Sequence, residues 1–196
     1  VMQAISAGRC ESYWSKTGSF DTVSHYLRLN YKGVREDVSS MVAGTDCKVE
    51  DARFSRDIND IRTKNDVLSV LIHLGYLAYD RDTQTCHVPN YEVSEELRYA
   101  VEDCEYTEVM RAIKASDQLL DDLLHLDEEA VARGIEAVHQ ETSSLWDYNN
   151  EKSLTCVINL AFYTARDKYR IIREFPTGRG FADLVFIPWR NVVSPA

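Results

Sequence analysis

The chain has 196 residues, of which 44% are hydrophobic and 28% are charged, and its formal net charge is -10. This composition is ordinary for a globular protein, and the length suits one large domain or two small ones. No apolar run approaches the roughly 18 residues of a transmembrane helix, and the start, "VMQAISAGRC", lacks the regions of a signal peptide. We therefore expect a cytoplasmic protein without membrane contact. Because the chain starts at Val1, we also expect it to be a fragment of a longer protein.

The negative charge is concentrated in the middle of the chain. Residues 1–91 carry 11 basic and 12 acidic side chains, residues 92–147 carry 4 and 16, and residues 148–196 carry 7 and 4. An acidic surface repels a nucleic-acid backbone, whereas a basic surface attracts it. Any contact with DNA or RNA is therefore expected at the C-terminal end.

The cysteines are odd in number and widely spaced, without a C-x-x-C pair or a histidine cluster nearby. This pattern argues against a zinc site and against a disulfide framework. We expect reduced, buried thiols, as in other cytoplasmic proteins. The five residues are Cys10, Cys47, Cys86, Cys104 and Cys156.

Residues 1–92 are predicted to form short helices, then a longer helix and a hairpin. "SFDTVSHYLRLNY" and "GVREDVSSMVAG" have apolar residues at helical spacing, and Gly44 ends the second helix. "KNDVLSVLIHL" predicts a mostly apolar helix that ends before Gly75, and "YLAYD" and "CHVPN" predict a hairpin. A buried helix followed by a hairpin is typical of the end of a winged-helix unit. Such a unit could bind nucleic acid or could serve as a packing module between larger domains.

Residues 93–147 are predicted to form helical hairpins. Ser94 and Asp127 are candidate N-cap residues, and apolar residues recur at helical spacing after each of them. The many acids lie mostly on the opposite faces of these helices. We interpret them as solvated surface rather than as a metal site.

Residues 148–196 predict a helix, the strand "KYRIIREF", the tight turn "PTGRG" and the strand "FADLVFIPW". Glu151 lies three residues before Leu154 on the apolar stripe of the helix. Asp183 interrupts the second strand, in which Phe181, Asp183, Val185 and Ile187 share one face and Ala182, Leu184 and Phe186 share the other. Both acids are thus predicted at core-facing positions, where an ionised carboxylate needs a cation or several donors. A metal ion would satisfy that need, and so would an arginine such as Arg173 or Arg179.

This order of a helix acid, a strand, a tight turn and a strand with a central Asp resembles the PD-(D/E)XK nuclease superfamily. The resemblance implies that Glu151 and Asp183 are catalytic residues that bind Mg²⁺, a cation suited to carboxylate ligands. Glu174, on the neighbouring strand, is a weaker candidate ligand. Three basic residues are candidates to contact phosphates: Arg173, Arg179 and Arg190. In that superfamily the next strand supplies an acid-x-Lys motif, but this chain ends at "NVVSPA" without one, so the chain alone is expected to be inactive.

A broader resemblance rests on "ESYW", "LIHLGYLAYD", "VPNYEV", "YNNEKSL" and "GRGFADLVF". Together these segments are similar to the C-terminal half of uncharacterised bacterial AAA-ATPase-like proteins. The implied fold is α+β and mostly helical, with a helical, winged-helix-like region at 1–92 that follows an absent ATPase domain. It continues with a helical connector at 93–147 and ends with a truncated, incomplete restriction-endonuclease-like α/β domain at 148–196. The ATPase domain would be a partner in the full-length protein, and the exposed sheet edge would permit self-association.

Three functions remain open from the sequence. The first is Mg²⁺-dependent hydrolysis of phosphodiesters by the full-length protein. The second is a non-catalytic interaction or regulatory module coupled to an ATPase, because a fold does not guarantee activity. The third is a DNA-binding winged helix, whose affinity for duplex DNA would fall with salt and depend on residues 60–92.

Overall fold

The computed structural model describes residues 18–49, 61–146 and 151–189. Within these ranges the chain forms eight helices and five short strands, so the fold is α+β and mostly helical, as predicted. The chain divides into two compact units, Val1–Tyr106 and Thr107–Ala196. This division falls inside the predicted connector, while the predicted functional domains 1–92, 93–147 and 148–196 stay predictions. Arg190 lies outside the described residues.

In the described residues 18–49 and 61–106, the first unit contains four helices and a small sheet. Its helices are α1 (Gly18–Arg28), α2 (Val34–Val42), α3 (Lys64–His73) and α4 (Tyr91–Asp103). Its strands are β1 (Cys47–Lys48), β2 (Ala78–Asp80) and β3 (Thr85–His87), which form an antiparallel sheet in the order β1-β3-β2. Helix α1 packs on α3 and α4, and α2 packs on α3, α4 and β1. The core consists of side chains at most 2% exposed, including Val23, Leu27, Val34, Val38, Leu68, Leu71, Tyr76, Leu97 and Val101.

Helix α3 has well-defined signals at both ends. The Thr63 hydroxyl accepts a hydrogen bond from the Asp66 backbone N–H, and the Asp66 carboxylate accepts one from the Thr63 backbone N–H, which together form a capping box. At the other end Gly75 adopts φ +83°, a left-handed conformation that favours glycine. Gly75 was predicted to end this helix, and the prediction is confirmed. The predicted hairpin that follows is confirmed as β2 and β3.

Helix α4 begins earlier than the sequence suggested. Its N-cap is Asn90, whose side-chain oxygen accepts a hydrogen bond from the Val93 backbone N–H, and Ser94 lies inside the helix and is buried. The prediction of Ser94 as the cap was therefore wrong. Asparagine is as good a cap as serine, and the earlier start adds a turn to the helix.

The second unit contains three helices of regular length, a short helix and a hairpin. These are α5 (Thr107–Leu124), α6 (Glu128–Glu141), α7 (Glu151–Ala161), α8 (Ala165–Lys168), β4 (Tyr169–Pro176) and β5 (Phe181–Pro188). Helix α5 packs on α6, α7 and α8, and α6 also packs on α7. Asp127 caps α6 by accepting a hydrogen bond from the Ala130 backbone N–H, as predicted. Buried residues that form the core of this unit include Val109, Ala112, Leu119, Leu120, Cys156, Val157, Leu160 and Phe162.

The β4–β5 hairpin has one covered face and one open face. Phe186 makes edge-to-face contacts with Phe162, just after α7, and with Tyr169 at the start of β4; the ring centroids are 5.5 and 6.2 Å apart. On the other face Phe181 is 73% exposed and Ile187 is 39% exposed. The Phe186 side of the hairpin is therefore the inner face, and the Phe181 side is the open face.

None of the helices in the described ranges combines the length and the apolar character that crossing a membrane requires. The predicted cytoplasmic location remains a prediction.

The capping box of α3 should contribute measurably to stability. We expect Thr63→Ala to lower the free energy of unfolding by about 1 kcal/mol, because a backbone N–H loses its acceptor. Desolvation raises the pKa of the Asp66 carboxyl, but hydrogen bonds from Thr63 and from the backbone N–H of Arg62 outweigh it and hold the pKa below its usual range. This stabilisation is present at neutral pH and is lost as the pH falls below about 4.

Urea unfolding at pH 7 and at pH 3 would measure this effect. The difference in the free energy of unfolding between Thr63→Ala and the wild type should be smaller at pH 3 than at pH 7. A suitable control is Thr155→Ala, since the Thr155 hydroxyl only donates to the Glu151 carbonyl within α7. If Thr155→Ala lowered the free energy of unfolding as much as Thr63→Ala does, the loss in Thr63→Ala would not come from the capping box.

The orientation of the β4–β5 hairpin can be tested with two phenylalanines on the same strand. Phe186→Ala should lower the free energy of unfolding by about 2 kcal/mol or more, because it removes two aromatic contacts and leaves a cavity. Phe181→Ala should change it by less than about 0.5 kcal/mol, because that ring is largely in solvent. Thermal or chemical unfolding would measure both, and a larger loss for Phe181→Ala would mean that the hairpin packs through its other face.

Candidate functional site

Asp183 lies in the middle of β5, on the open face of the hairpin. It is exposed, and so are Phe181 and Ile187 on the same face. The sequence predicted that these residues share a face, but it also placed Asp183 at a core-facing position, and that expectation was wrong. Phe186 packs inwards on Phe162 and Tyr169 instead and is half-buried, and successive residues of a strand point to opposite sides, so Asp183 must face away. Its carboxylate is therefore hydrated and needs no buried counter-ion.

A second acid lies directly across the hairpin from Asp183. The register pairs Arg173 with Leu184 and Phe175 with Ala182, so Glu174 and Asp183 occupy the facing positions between these two pairs. Glu174 is exposed and has φ +48°, an uncommon conformation for a residue other than glycine. The hairpin therefore carries two acids at neighbouring positions of adjacent strands, although the left-handed φ of Glu174 interrupts the regular strand alternation at that residue.

Glu151 is the first residue of α7 and is also exposed. Leu154, one turn later on the same side, is 53% exposed, so the predicted apolar stripe through Leu154 was wrong at this end of the helix. The buried face of α7 is formed by Ser153, Cys156, Val157 and Leu160. In this position a carboxylate interacts favourably with the helix dipole, which accounts for Glu151 without a metal.

Glu151 lies at the start of α7, whereas the contact between this part of the chain and β5, the strand of Asp183, lies just after the other end of the helix. Phe162, just after the end of α7, contacts Phe186 of β5, and the 11 residues of α7 from Glu151 to Ala161 span about 16 Å. Within the described ranges, no group of three or more His, Cys, Asp or Glu residues is arranged to hold a metal ion. Of the candidate acids, the register brings Asp183 together with Glu174 rather than with Glu151.

The arginines predicted to meet phosphates are spread around the hairpin. Arg179 lies in the turn between β4 and β5 and is exposed. Arg173 is exposed and pairs with Leu184 in register, so it belongs to the inner face rather than to the face of Asp183. The Arg190 prediction falls outside the described residues.

The donor set of the open face fits a hydrated Mg²⁺ ion. Mg²⁺ keeps several waters and is usually held by one or two carboxylates, which Asp183 and Glu174 could supply from neighbouring strands. Both carboxylates are exposed, so hydration of such an ion would not be hindered. Glu151, at the start of α7, does not belong to this pair of acids.

Comparison of the chain with protein-family models, with curated proteins and with solved structures gives no match. The resemblance to the PD-(D/E)XK superfamily and to AAA-ATPase-like proteins therefore stays a prediction.

The pairing of Glu174 with Asp183 leads to a test that does not depend on activity. Like charges directly opposite each other destabilise a hairpin, so Asp183→Asn should raise the free energy of unfolding by about 0.2–1 kcal/mol at low salt. The gain should shrink at high salt because screening weakens the repulsion. Asp117→Asn, at an exposed position of α5, is the control and should show a smaller change. Destabilisation by Asp183→Asn would mean that its charge is compensated in the native protein.

Proposed function

We propose that this chain is part of a metal-dependent nuclease-like protein of the PD-(D/E)XK type, in which the open face of the β4–β5 hairpin carries the metal ligands. The observation that supports the proposal is the element order: α7 with Glu151 in its first turn, β4, a tight turn, and β5 with Asp183 at its centre. This is the order on which the resemblance was founded. The proposed reaction is hydrolysis of a phosphodiester bond by the longer, AAA-ATPase-like protein.

Asp183 is the residue best placed to hold a divalent cation in this proposal, with Glu174 as its neighbour across the hairpin. A bound Mg²⁺ would activate a water and stabilise the charge that develops on the phosphate oxygens. Glu151 keeps its proposed role as a ligand only if α7 brings its first turn to the same side of the hairpin. The exposure of Asp183 and Glu174 leaves both carboxylates accessible to a hydrated ion.

The proposed substrate is a nucleic acid approached from the hairpin end. Residues 148–196 carry seven basic and four acidic side chains, whereas residues 92–147 carry four and sixteen. Arg179 at the tip of the hairpin is exposed and could contact a phosphate, and Arg173 and Arg190 are further candidates. Phosphate contacts of this kind position a nucleic acid without reading its sequence.

For the first unit we propose a winged-helix-like arrangement. Helix α3 leads directly into the β2–β3 hairpin, and β1 adds a third antiparallel strand to it. In the longer protein this unit would connect the proposed ATPase domain with the nuclease-like part.

A second proposal is a non-catalytic interaction module, and one observation favours it. The open face combines Asp183 with the exposed apolar residues Phe181 at 73% and Ile187 at 39%, and Trp189, just after β5, is 48% exposed. Aromatic residues of this kind are enriched at protein interfaces. In that case the acids would help to select a partner rather than hold a metal ion.

Cleavage assays distinguish the two proposals. The protein should be extended past Ala196 and incubated with Mg²⁺ or Mn²⁺ and with single- and double-stranded DNA and RNA. For the nuclease proposal, Asp183→Ala should lower the cleavage rate by at least about 100-fold, because a metal ligand is removed. Glu174→Ala and Glu151→Ala, tested separately, would show which second acid contributes.

Asp117→Ala is the matched control, since it removes an exposed acid from α5 and should leave the rate unchanged. Cleavage that survives Asp183→Ala would contradict a ligand role for this residue. Absence of cleavage on every substrate would favour the interaction module.

A further inference from the structure

Two cysteines and a methionine are buried near one another in the core of the first unit. Cys47 on β1 and Cys86 on β3 are 0% exposed, and Met41 on α2 is 1% exposed. The sulfurs of Cys86 and Met41 are 3.6 Å apart. Both cysteines are thiols and not disulfides.

The two thiols face the same side of the sheet because they are directly opposed. The β1–β3 register pairs Cys47 with Cys86, and directly opposed residues of an antiparallel pair project from the same face. The next hydrogen bond of the ladder runs from the Val49 backbone N–H to the Gln84 carbonyl. Because hydrogen-bonded pairs recur every second residue, Cys47 and Cys86 also form a hydrogen-bonded pair, with Cα atoms about 5.5 Å apart.

Helix α2 covers this pair and brings the third sulfur to it. The Cys47 sulfur is 3.4 Å from the Asp37 carbonyl oxygen, and the Cys86 sulfur contacts the Met41 sulfur. Residues 37 and 41 are one helical turn apart, and in an α-helix the N–H of the later residue bonds to the carbonyl of the earlier one. The two thiols therefore approach the same turn of α2, at the position from which Met41 projects.

We propose that Cys47, Cys86 and Met41 form a binding site for a soft monovalent metal ion, with Cu(I) as the ion that best suits two thiolates and one thioether. Soft thiolate and thioether ligands favour Cu(I), zinc and iron–sulfur clusters over harder ions. Sulfurs at a bond length of about 2.3 Å from a central ion lie about 3.8–4.0 Å from one another in trigonal or tetrahedral sites. The 3.6 Å separation of the Cys86 and Met41 sulfurs is within a few tenths of an ångström of that spacing.

The ligand set also discriminates against harder ions. Structural zinc takes four ligands, usually cysteine and histidine, and the described residues include no group of three or more His, Cys, Asp or Glu that could hold a metal. The third ligand here is a thioether, a weak partner for zinc and a suitable one for Cu(I). Binding would exchange one Cu⁺ for two protons, because both thiols must be deprotonated to ligate. The affinity should therefore rise with pH.

Titration with Cu(I) alone tests the proposal, under anaerobic and reducing conditions and in competition with a chromogenic Cu(I) chelator. The reference protein is the full chain carrying Cys10→Ser, Cys104→Ser and Cys156→Ala, so that only the two proposed thiols remain. It should bind one equivalent of Cu(I) and unfold at a higher temperature when the ion is bound. X-ray absorption of the complex should show sulfur as the only ligand atom.

Single substitutions then assign the ligands. Cys47→Ala or Cys86→Ala should weaken binding by at least about 100-fold, and Met41→Leu should weaken it by about 10-fold. Leucine nearly matches methionine in volume, so Met41→Leu keeps the core packed, and circular dichroism would verify that each variant is folded. Should a cysteine variant unfold, Met41→Leu in the wild-type chain still tests the site.

Four results would overturn the proposal: affinity unchanged in the cysteine variants, affinity unchanged in Met41→Leu, nitrogen or oxygen ligands in the absorption spectrum, or no binding to the reference protein. A Cys47–Cys86 disulfide formed in air by a protein that does not bind Cu(I) would also overturn it. That result would make the pair a redox couple.

Discussion

The packing of Phe186 against Phe162 and Tyr169 determines what the C-terminal part of this protein can do. A hairpin of two strands has two faces, and Phe186 packs on Phe162 and Tyr169 through one of them. The alternation of a strand directs Phe181, Asp183, Val185 and Ile187 to the other face, where all but Val185 are exposed. Asp183 is one of them, so the aromatic contacts position the carboxylate without touching it. A metal site at Asp183 would lie on a face whose orientation is fixed by the aromatic contacts of the opposite face.

Local patterns in the sequence were sufficient to find most of the elements. Gly75 and Asp127 were correctly assigned to helix ends because a left-handed glycine and a capping carboxylate act within a few residues of themselves. The β4–β5 hairpin was equally clear from its β-branched and aromatic residues on either side of a glycine-containing turn. By contrast, β1 has only two residues, and no periodic pattern can reveal a strand so short. Without β1 the opposition of Cys47 and Cys86 could not be foreseen, since their positions are far apart in sequence.

The prediction of the acids failed for a different physical reason. Periodicity shows which residues share a face but does not show which face is buried. Phe181, Asp183 and Ile187 were correctly grouped, yet the tertiary contact of Phe186 selected the opposite face as the inner one. Glu151 and Leu154 were likewise grouped correctly and assigned to the wrong side of α7. The grouping of side chains on one face and the order of the elements along the chain were thus predictable, while the exposure of the acids depended on packing between elements.

The exposure of the acids changes how the two candidate sites of this protein should behave. A carboxylate in water loses little hydration energy, so a site at Asp183 and Glu174 would bind an ion weakly and reversibly unless a substrate phosphate completes the ligand set. The sulfurs of Met41, Cys47 and Cys86 are fully buried, and an ion there would exchange water for three soft ligands in the core. A site of this second kind stabilises the fold that surrounds it, because the unfolded chain cannot offer the same three ligands together. The proposed surface site would therefore suit turnover of a substrate, whereas the proposed sulfur site would suit retention of an ion.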